Sequence, residues 1–168
     1  MGAPIRSLVT GVTAGAAGTL AMDLLWYARY RGSGGSDGFV AWETAAGTTG
    51  YQGAAAPAQV GRKLVEKVTG EPPPDGTARL MTNVVHWATG KQWGAVYGLA
   101  QPWLGRRGPL VGGVVLGLGA FGTAYALLPM LGVYKPIWEY DARTIWQDLS
   151  AHLVYGVTTA TTAAALTP

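Results

Sequence analysis

The chain has 168 residues, of which 49% are apolar and only 12% are charged, whereas an average soluble domain has about 25% charged residues. Its 12 Lys and Arg residues give a formal charge of +3, but they are dispersed and form no basic stripe, which argues against a nucleic-acid partner. The sequence has no cysteine, so disulfides, thiolate metal sites and a cysteine nucleophile are excluded.

Four stretches are long and apolar enough to cross a bilayer, which takes about 20 mostly apolar residues in a helix. They cover about residues 5–28, 77–99, 109–133 and 145–166. Many of the 26 glycines lie inside them, and small residues allow close helix packing in lipid. The sequence therefore predicts an all-α fold, with residues 1–168 forming a single membrane domain built as an integral membrane four-helix bundle.

The first stretch invites comparison with a signal peptide. Its apolar run continues to Tyr27 and ends in Arg29 and Arg31, which is longer than the apolar region of a normal signal. We therefore expect a retained first span. Within it, Gly11 and Gly15 have the four-residue spacing that is typical of a close contact between membrane helices.

The segment from residue 31 to residue 74 lies outside the predicted spans and begins rich in Gly, Ser and Thr. Residues 37–46 predict a short surface helix, with Phe39 and Trp42 as interfacial anchors. After Pro57, apolar residues recur every fourth position opposite charged residues. This pattern predicts an additional short amphipathic helix lying on the lipid headgroups; a solvated connector helix is the alternative.

The second and fourth spans carry similar stripes of residues. In the second span, His86 is followed by a glycine at every fourth position, and in the fourth span Asp148 and His152 are followed by Gly156 and Ala160. Residues four apart lie on one face of a helix, so the two spans present matching faces. If these spans are neighbours, the imidazoles of His86 and His152 lie close together inside the bundle.

Ionisable residues in the spans need an explanation, because a charge near the bilayer centre costs at least about 2.5–3.5 kcal/mol. The candidates are Asp23, His86, Lys91, Asp148 and His152. Asp148 lies one turn before His152, so its carboxylate is placed to accept an imidazole N–H. Asp23 is expected at the interface in contact with headgroup water, and Lys91 is expected to pair with Asp148 or Asp23 or to extend toward the headgroups.

Three interpretations of the two histidines are open. They make packing contacts by bonding to backbone carbonyls or hydroxyls; they form a proton-responsive cluster with Asp148 and Asp23; or they ligate a haem or a metal. Two histidines are a thin basis for the third, so no metal or cofactor is predicted, and His86 and His152 would be the ligands if there were one. No Walker, GxSxG or HExxH motif is present, which predicts a protein that is not an enzyme.

Loop charges indicate the orientation in the membrane. The tight turn with Arg106 and Arg107 is a local signal for the cytoplasmic side, whereas the larger number of basic residues in the long first loop carries less weight. We therefore expect both termini in the cytoplasm.

Two parts of the chain resemble a known family. The residues Leu131-Gly132 and His152 to Gly156 look like the C-terminal half of the YagU-like family of small bacterial inner-membrane proteins, and Val85-His86-Trp87 with Tyr97-Gly98 is similar to its middle span. The likeness covers about half of the chain, and the Gly-rich loop from Gly32 to Gly53 departs from it. The resemblance implies a multi-pass inner-membrane protein that is associated with acid-stress tolerance, and no known reaction.

These features together predict a non-enzymatic membrane protein whose buried histidines and aspartates contribute to an acid or envelope stress response. Two alternatives stay open. The first is an accessory or scaffolding subunit of a larger membrane complex, or a homo-oligomer, in which case the partners are the lipid bilayer and another membrane chain. The second is a bis-histidine haem or metal carrier.

Overall fold

A computed structural model describes residues 2–167 and shows an all-α protein that is 79% helical, with no strand in that range. The predicted all-helical class is confirmed. The α-helices are α1 (Ala3–Gly32), α2 (Phe39–Glu43), α3 (Ala56–Thr69), α4 (Ala78–Leu104), α5 (Pro109–Met130) and α6 (Ala142–Leu166).

Local sequence signals set several of the helix ends. Pro57 lies in the first turn of α3, and Gly70 ends that helix with φ +83°, a left-handed conformation that glycine adopts without strain. Pro109 is the first residue of α5, where its missing N–H and fixed φ suit a helix start. Asp141 caps α6 by accepting a hydrogen bond from the Thr144 N–H at 2.9 Å.

The central helix is α1. It packs along α4 on one side and along α6 on the other, and α5 packs on the far side of α6, so the spatial order is α4–α1–α6–α5. A smaller contact joins α4 to α5, whereas α4 and α6 hardly touch. The matching stripes of α4 and α6 therefore do not face one another; they contact α1 and α5.

Glycine allows the closest of these helix contacts. A methyl group on Gly94 of α4 would lie 2.5 Å from the Cα atom of Gly15 on α1, and one on Gly156 of α6 would lie 2.6 Å from the backbone nitrogen of Gly117 on α5. Carbon atoms in ordinary contact are about 3.5–4.0 Å apart. Any larger residue at these positions would force the helices apart.

The interior is rich in small and hydroxyl-bearing residues, with Tyr97, Leu116 and Tyr155 among its large buried side chains, while many other large apolar side chains point outward. Ala14, Thr19 and Thr159 are buried, whereas Leu24 on α1 is 50% exposed and Leu110 on α5 is 63% exposed. In a protein folded in water, large apolar side chains are more often buried. Apolar surface of this extent is typical of contact with lipid or with another protein.

Two helices are long and apolar enough to cross a membrane by length and composition, Pro4–Gly32 and Pro109–Met130. They match the first and third predicted spans. The other two long helices, α4 and α6, have 27 and 25 residues. They are less apolar because they contain ionisable residues, His86 and Lys91 in α4 among them.

The predicted amphipathic helix is present as α3, and it packs on the start of α4 through its smallest residues. Ala58 and Gly61 are buried, and a methyl group on Gly61 would lie 3.0 Å from Met81 of α4. Leu64 and Val68, on the predicted apolar face, remain 53% and 86% exposed. Part of the apolar face of α3 is therefore uncovered.

Candidate functional site

The side chains of Asp23 and His86 are hydrogen-bonded between α1 and α4. The Nε2 atom of His86 lies 2.9 and 3.0 Å from the two carboxylate oxygens of Asp23. An ionised carboxylate can only accept hydrogen bonds, so Nε2 carries the donated proton. Asp23 is 4% exposed and the His86 side chain is 30% exposed, so the acid is the more deeply buried partner.

The sequence predicts that Asp23 contacts headgroup water at the end of the first span, whereas the structure buries its carboxylate against His86. The predicted span ends near residue 28, whereas helix α1 continues to Gly32. Asp23 therefore lies about 14 Å from the end of its helix at a rise of 1.5 Å per residue, and His86 lies about 12 Å from the start of α4. Since α1 and α4 are antiparallel neighbours, the two side chains meet at the same depth.

A second carboxyl group, that of Glu43, joins this pair from the end of α2. Its Oε1 atom is buried and has no hydrogen-bond partner in the described part of the chain. Burial, which is the largest effect, and the charge of Asp23 raise the pKa of Glu43, while His86 and Trp87 oppose this in part. Asp23, Glu43 and His86 are called the acid–histidine cluster below.

Aromatic contacts hold α2 against the end of α1. The Tyr27 ring lies 5.2 Å from the Phe39 ring and 5.4 Å from the Trp42 ring, between centroids, which is a favourable separation for aromatic pairs. Directly after α2, the Thr44 carbonyl accepts a hydrogen bond from Nε of Arg79 on α4 at 2.9 Å. The short helix predicted in this loop is therefore present, and it rests on both α1 and α4.

Asp148 and His152 interact within one turn of α6. Nδ1 of His152 lies 2.9 Å from the backbone carbonyl oxygen of Asp148 and 3.3 Å from one of its carboxylate oxygens. Because a backbone carbonyl only accepts, Nδ1 carries the proton. The imidazole packs edge-on against the Phe121 ring of α5, 5.7 Å away. This arrangement fits the packing interpretation of His152.

The expected approach of His86 to His152 does not occur. His86 is bonded to α1 and His152 to its own helix, and their helices hardly touch. No group of three or more His, Asp or Glu side chains in residues 2–167 is placed to hold a metal ion. The geometry therefore gives no support to bis-histidine ligation.

Of the two alternatives expected for Lys91, pairing with an aspartate is not observed. It is exposed on α4, with its ammonium group 5.8 Å from the centre of the Trp87 ring. The ion pairs found within residues 2–167 do not include it. The expected pairing of Lys91 with Asp148 or Asp23 is therefore not formed.

Arg29 links α1 to α6 near the same end of the bundle. Its guanidinium group donates to the Gln147 carbonyl at 2.6 Å and to the Ser150 hydroxyl at 2.8 Å, and it lies 4.9 Å from the centre of the Trp26 ring. The sequence marks Arg29 only as the end of a span. Its cross-helix contact becomes visible only in the packed structure.

Glu43 is the cluster member that could not be identified from the sequence, because it is one of several charged residues in a long loop. A local signal does point to it. Glu43 directly follows the two aromatic anchors Phe39 and Trp42, so a helix seated by these rings brings its next residue against the bundle.

Comparison with known proteins adds no relative from which a role for this cluster can be carried over. No family model, no curated protein and no solved structure matches the chain.

Proposed function

We propose that the chain is a four-span membrane protein in which the acid–histidine cluster binds protons and controls how α2 sits on the bundle. One observation carries this: beside the buried Asp23–His86 pair lies a carboxyl oxygen of Glu43 that has no hydrogen-bond partner among the described residues. A neutral carboxylic acid can donate a hydrogen bond where a carboxylate can only accept. Uptake of one proton therefore supplies a donor to a site that holds two acids.

The distribution of side chains supports a membrane setting. Small residues line the helix contacts and large apolar residues face outward, as expected where close packing holds membrane helices together. In α4 and α6, His86 and His152 are bonded within the protein. Polar residues in membrane helices are typically directed inward in this way.

The direction of the pH response follows from the raised pKa of Glu43. Since α2 seated on the bundle holds this proton more tightly than α2 in water, seating is fully stabilised below the ordinary carboxyl pKa of 4.5 and weakens as the pH rises through the raised value. The groups that face Glu43 are Asp23 from α1 and His86 and Trp87 from α4, and Arg79 of α4 bonds the adjacent Thr44. Acid therefore closes α2 onto the bundle.

This behaviour suits a role in acid or envelope stress, which the resemblance to the YagU-like family also implies. With both termini in the cytoplasm, the ends of α1 and α5 and the whole of α2 lie on the outer side of the inner membrane. The pH on that side follows the medium. The cluster would then report external acidity without catalysing a reaction.

The proposal is tested by measuring the position of α2 against pH in lipid nanodiscs. Spin labels at Val40→Cys on α2 and Val84→Cys on α4 are suitable, because both side chains are exposed, 72% and 53%. We expect a narrow distance distribution at pH 4.5 that broadens toward pH 8. Glu43→Gln should keep the narrow distribution at both pH values, because its neutral amide does not become charged as the pH rises.

Glu66→Gln on α3 is the matched control, because it makes the same change at an exposed position away from the cluster. It should behave as the wild type does. A wild-type distribution that does not change with pH, or a pH response that survives in Glu43→Gln, would contradict the proposed role of the cluster.

A further inference from the structure

An exposed charge lies at the centre of α4. Lys91 is as far from Ala78 as from Leu104, the two ends of the helix, so it is about 20 Å from each. In the four-span topology proposed above, on which this inference rests, the hydrocarbon core is about 30 Å thick. Lys91 is then near the bilayer midplane, too far from either headgroup layer for its side chain to reach it.

The chain itself gives Lys91 little compensation. The only aromatic face near its ammonium group among the described residues is that of Trp87, at 5.8 Å, and no carboxylate of residues 2–167 is paired with it. A cation–π contact is weaker than the cost of placing an ammonium group in hydrocarbon. The outer helix α3 contacts α4 at Met81 and Val85, which are earlier turns of the helix.

Several residues on the same side of α4 as Lys91 are exposed. Ala88, Lys91, Gln92 and Leu99 are all exposed, and at about 3.6 residues per turn these positions lie on one side of α4. They are called the outer face of α4. A helix face with a small residue beside an amide and an ammonium group is suited to packing against another membrane helix. Polar side chains form hydrogen bonds across such contacts, and small side chains allow the two helices to approach closely.

We infer that the outer face of α4 binds a membrane helix of another protein that carries a carboxyl group at mid-bilayer depth. A second copy of this chain does not supply that group: its four long helices hold only two acids, Asp23 and Asp148, and each is bonded within its own chain. A symmetric dimer through α4 would also bring Lys91 against Lys91. The chain is thus a subunit of a larger membrane assembly.

A synthetic helix tests this directly. A leucine-rich membrane peptide with one central glutamate, and the same peptide with leucine in its place, are mixed with the labelled protein in phosphatidylcholine vesicles, and association is read by energy transfer. We expect the glutamate peptide to bind at least 10-fold more tightly than the leucine peptide. Lys91→Met should abolish this preference, and Lys91→Arg should retain it, because it keeps the charge.

Lys67→Met on α3 is the control, since Lys67 is exposed outside the long helices, and it should leave the preference unchanged. Equal binding of the two peptides by the wild type, or an undiminished preference in Lys91→Met, would overturn the inference.

The chain has no cysteine, so Thr89→Cys reports separately on the topology. If this thiol resists a membrane-impermeant maleimide, α4 spans the bilayer, and failure of the peptide experiment then counts against the partner alone. If it reacts, Lys91 is solvated, and the four-span proposal and the partner are both overturned.

Discussion

Replacing Gly94 by alanine should destabilise the bundle at the contact between α1 and α4. The added methyl group would lie 2.5 Å from the Cα atom of Gly15 and 2.7 Å from its nitrogen, whereas ordinary carbon contacts are about 3.5–4.0 Å. Both neighbours are backbone atoms, which no side-chain rotation can move aside. The two helices must therefore separate by about 1 Å, and the surrounding atoms lose a quarter to a half of their dispersion attraction.

Two terms set the size of the effect. Overpacking costs about 1–3 kcal/mol, and the rigid backbone at this contact places Gly94→Ala at the upper end. Alanine is the better helix former by about 1 kcal/mol, which offsets part of the cost. We expect a net loss of about 2 kcal/mol in the free energy of unfolding.

The measurement is reversible unfolding in detergent micelles, followed by far-ultraviolet circular dichroism. Gly122→Ala on α5 is the matched control, because a methyl group there meets nothing within 4 Å and only the helix-propensity gain of up to about 1 kcal/mol remains. If Gly94→Ala proved as stable as the wild type while Gly122→Ala behaved as expected, α1 and α4 would not cross at these glycines.

Three further predictions concern individual polar contacts. Asp23→Asn and His86→Ala should each lower the free energy of unfolding by about 2 kcal/mol, which is less than the loss for a fully buried pair because His86 is partly exposed. A double-mutant cycle in micelles should show that the two losses do not add, and simple additivity would rule out a direct interaction between these side chains. Tyr155→Phe should lower the free energy of unfolding by about 1 kcal/mol, since the Tyr155 hydroxyl donates to an α4 backbone carbonyl at 2.6 Å. It should also speed amide hydrogen exchange where α6 meets α4, and unchanged exchange would argue against that hydrogen bond. Hydrogen bonds from Thr144 lower the pKa of Asp141, so the cap should stabilise α6 at neutral pH and lose this effect as the pH falls through the lowered pKa. A pH titration of unfolding should show this loss in the wild type and not in Asp141→Asn.

The helices themselves could be predicted from the sequence because their signals are local. Pro57 and Gly70 bracket α3, and Pro109 opens α5. The four-residue spacing of Gly11 and Gly15 predicts a close helix contact, and the structure places that contact against α4. Each of these depends on residues within one or two turns of the chain.

The partners of the helices could not be predicted, because a stripe of small residues shows that a face is covered without showing by what. The stripe that begins at His86 faces α1, and the one that begins at Asp148 faces α5. The acid–histidine cluster could not be predicted for the same reason. Asp23, His86 and Glu43 come from three separate segments, and only the packing of α1, α2 and α4 brings them together.

The 63 residues that separate Asp23 from His86 also impose an order on biosynthesis. At about 5–20 residues per second, the histidine leaves the ribosome about 3–13 s after the aspartate. In the proposed topology α1 therefore enters the membrane before the base that neutralises its acid has been made. During that interval Asp23 lacks the hydrogen-bond partner that it has in the folded chain, so the contact between α1 and α4 at this position closes late in the assembly of the bundle.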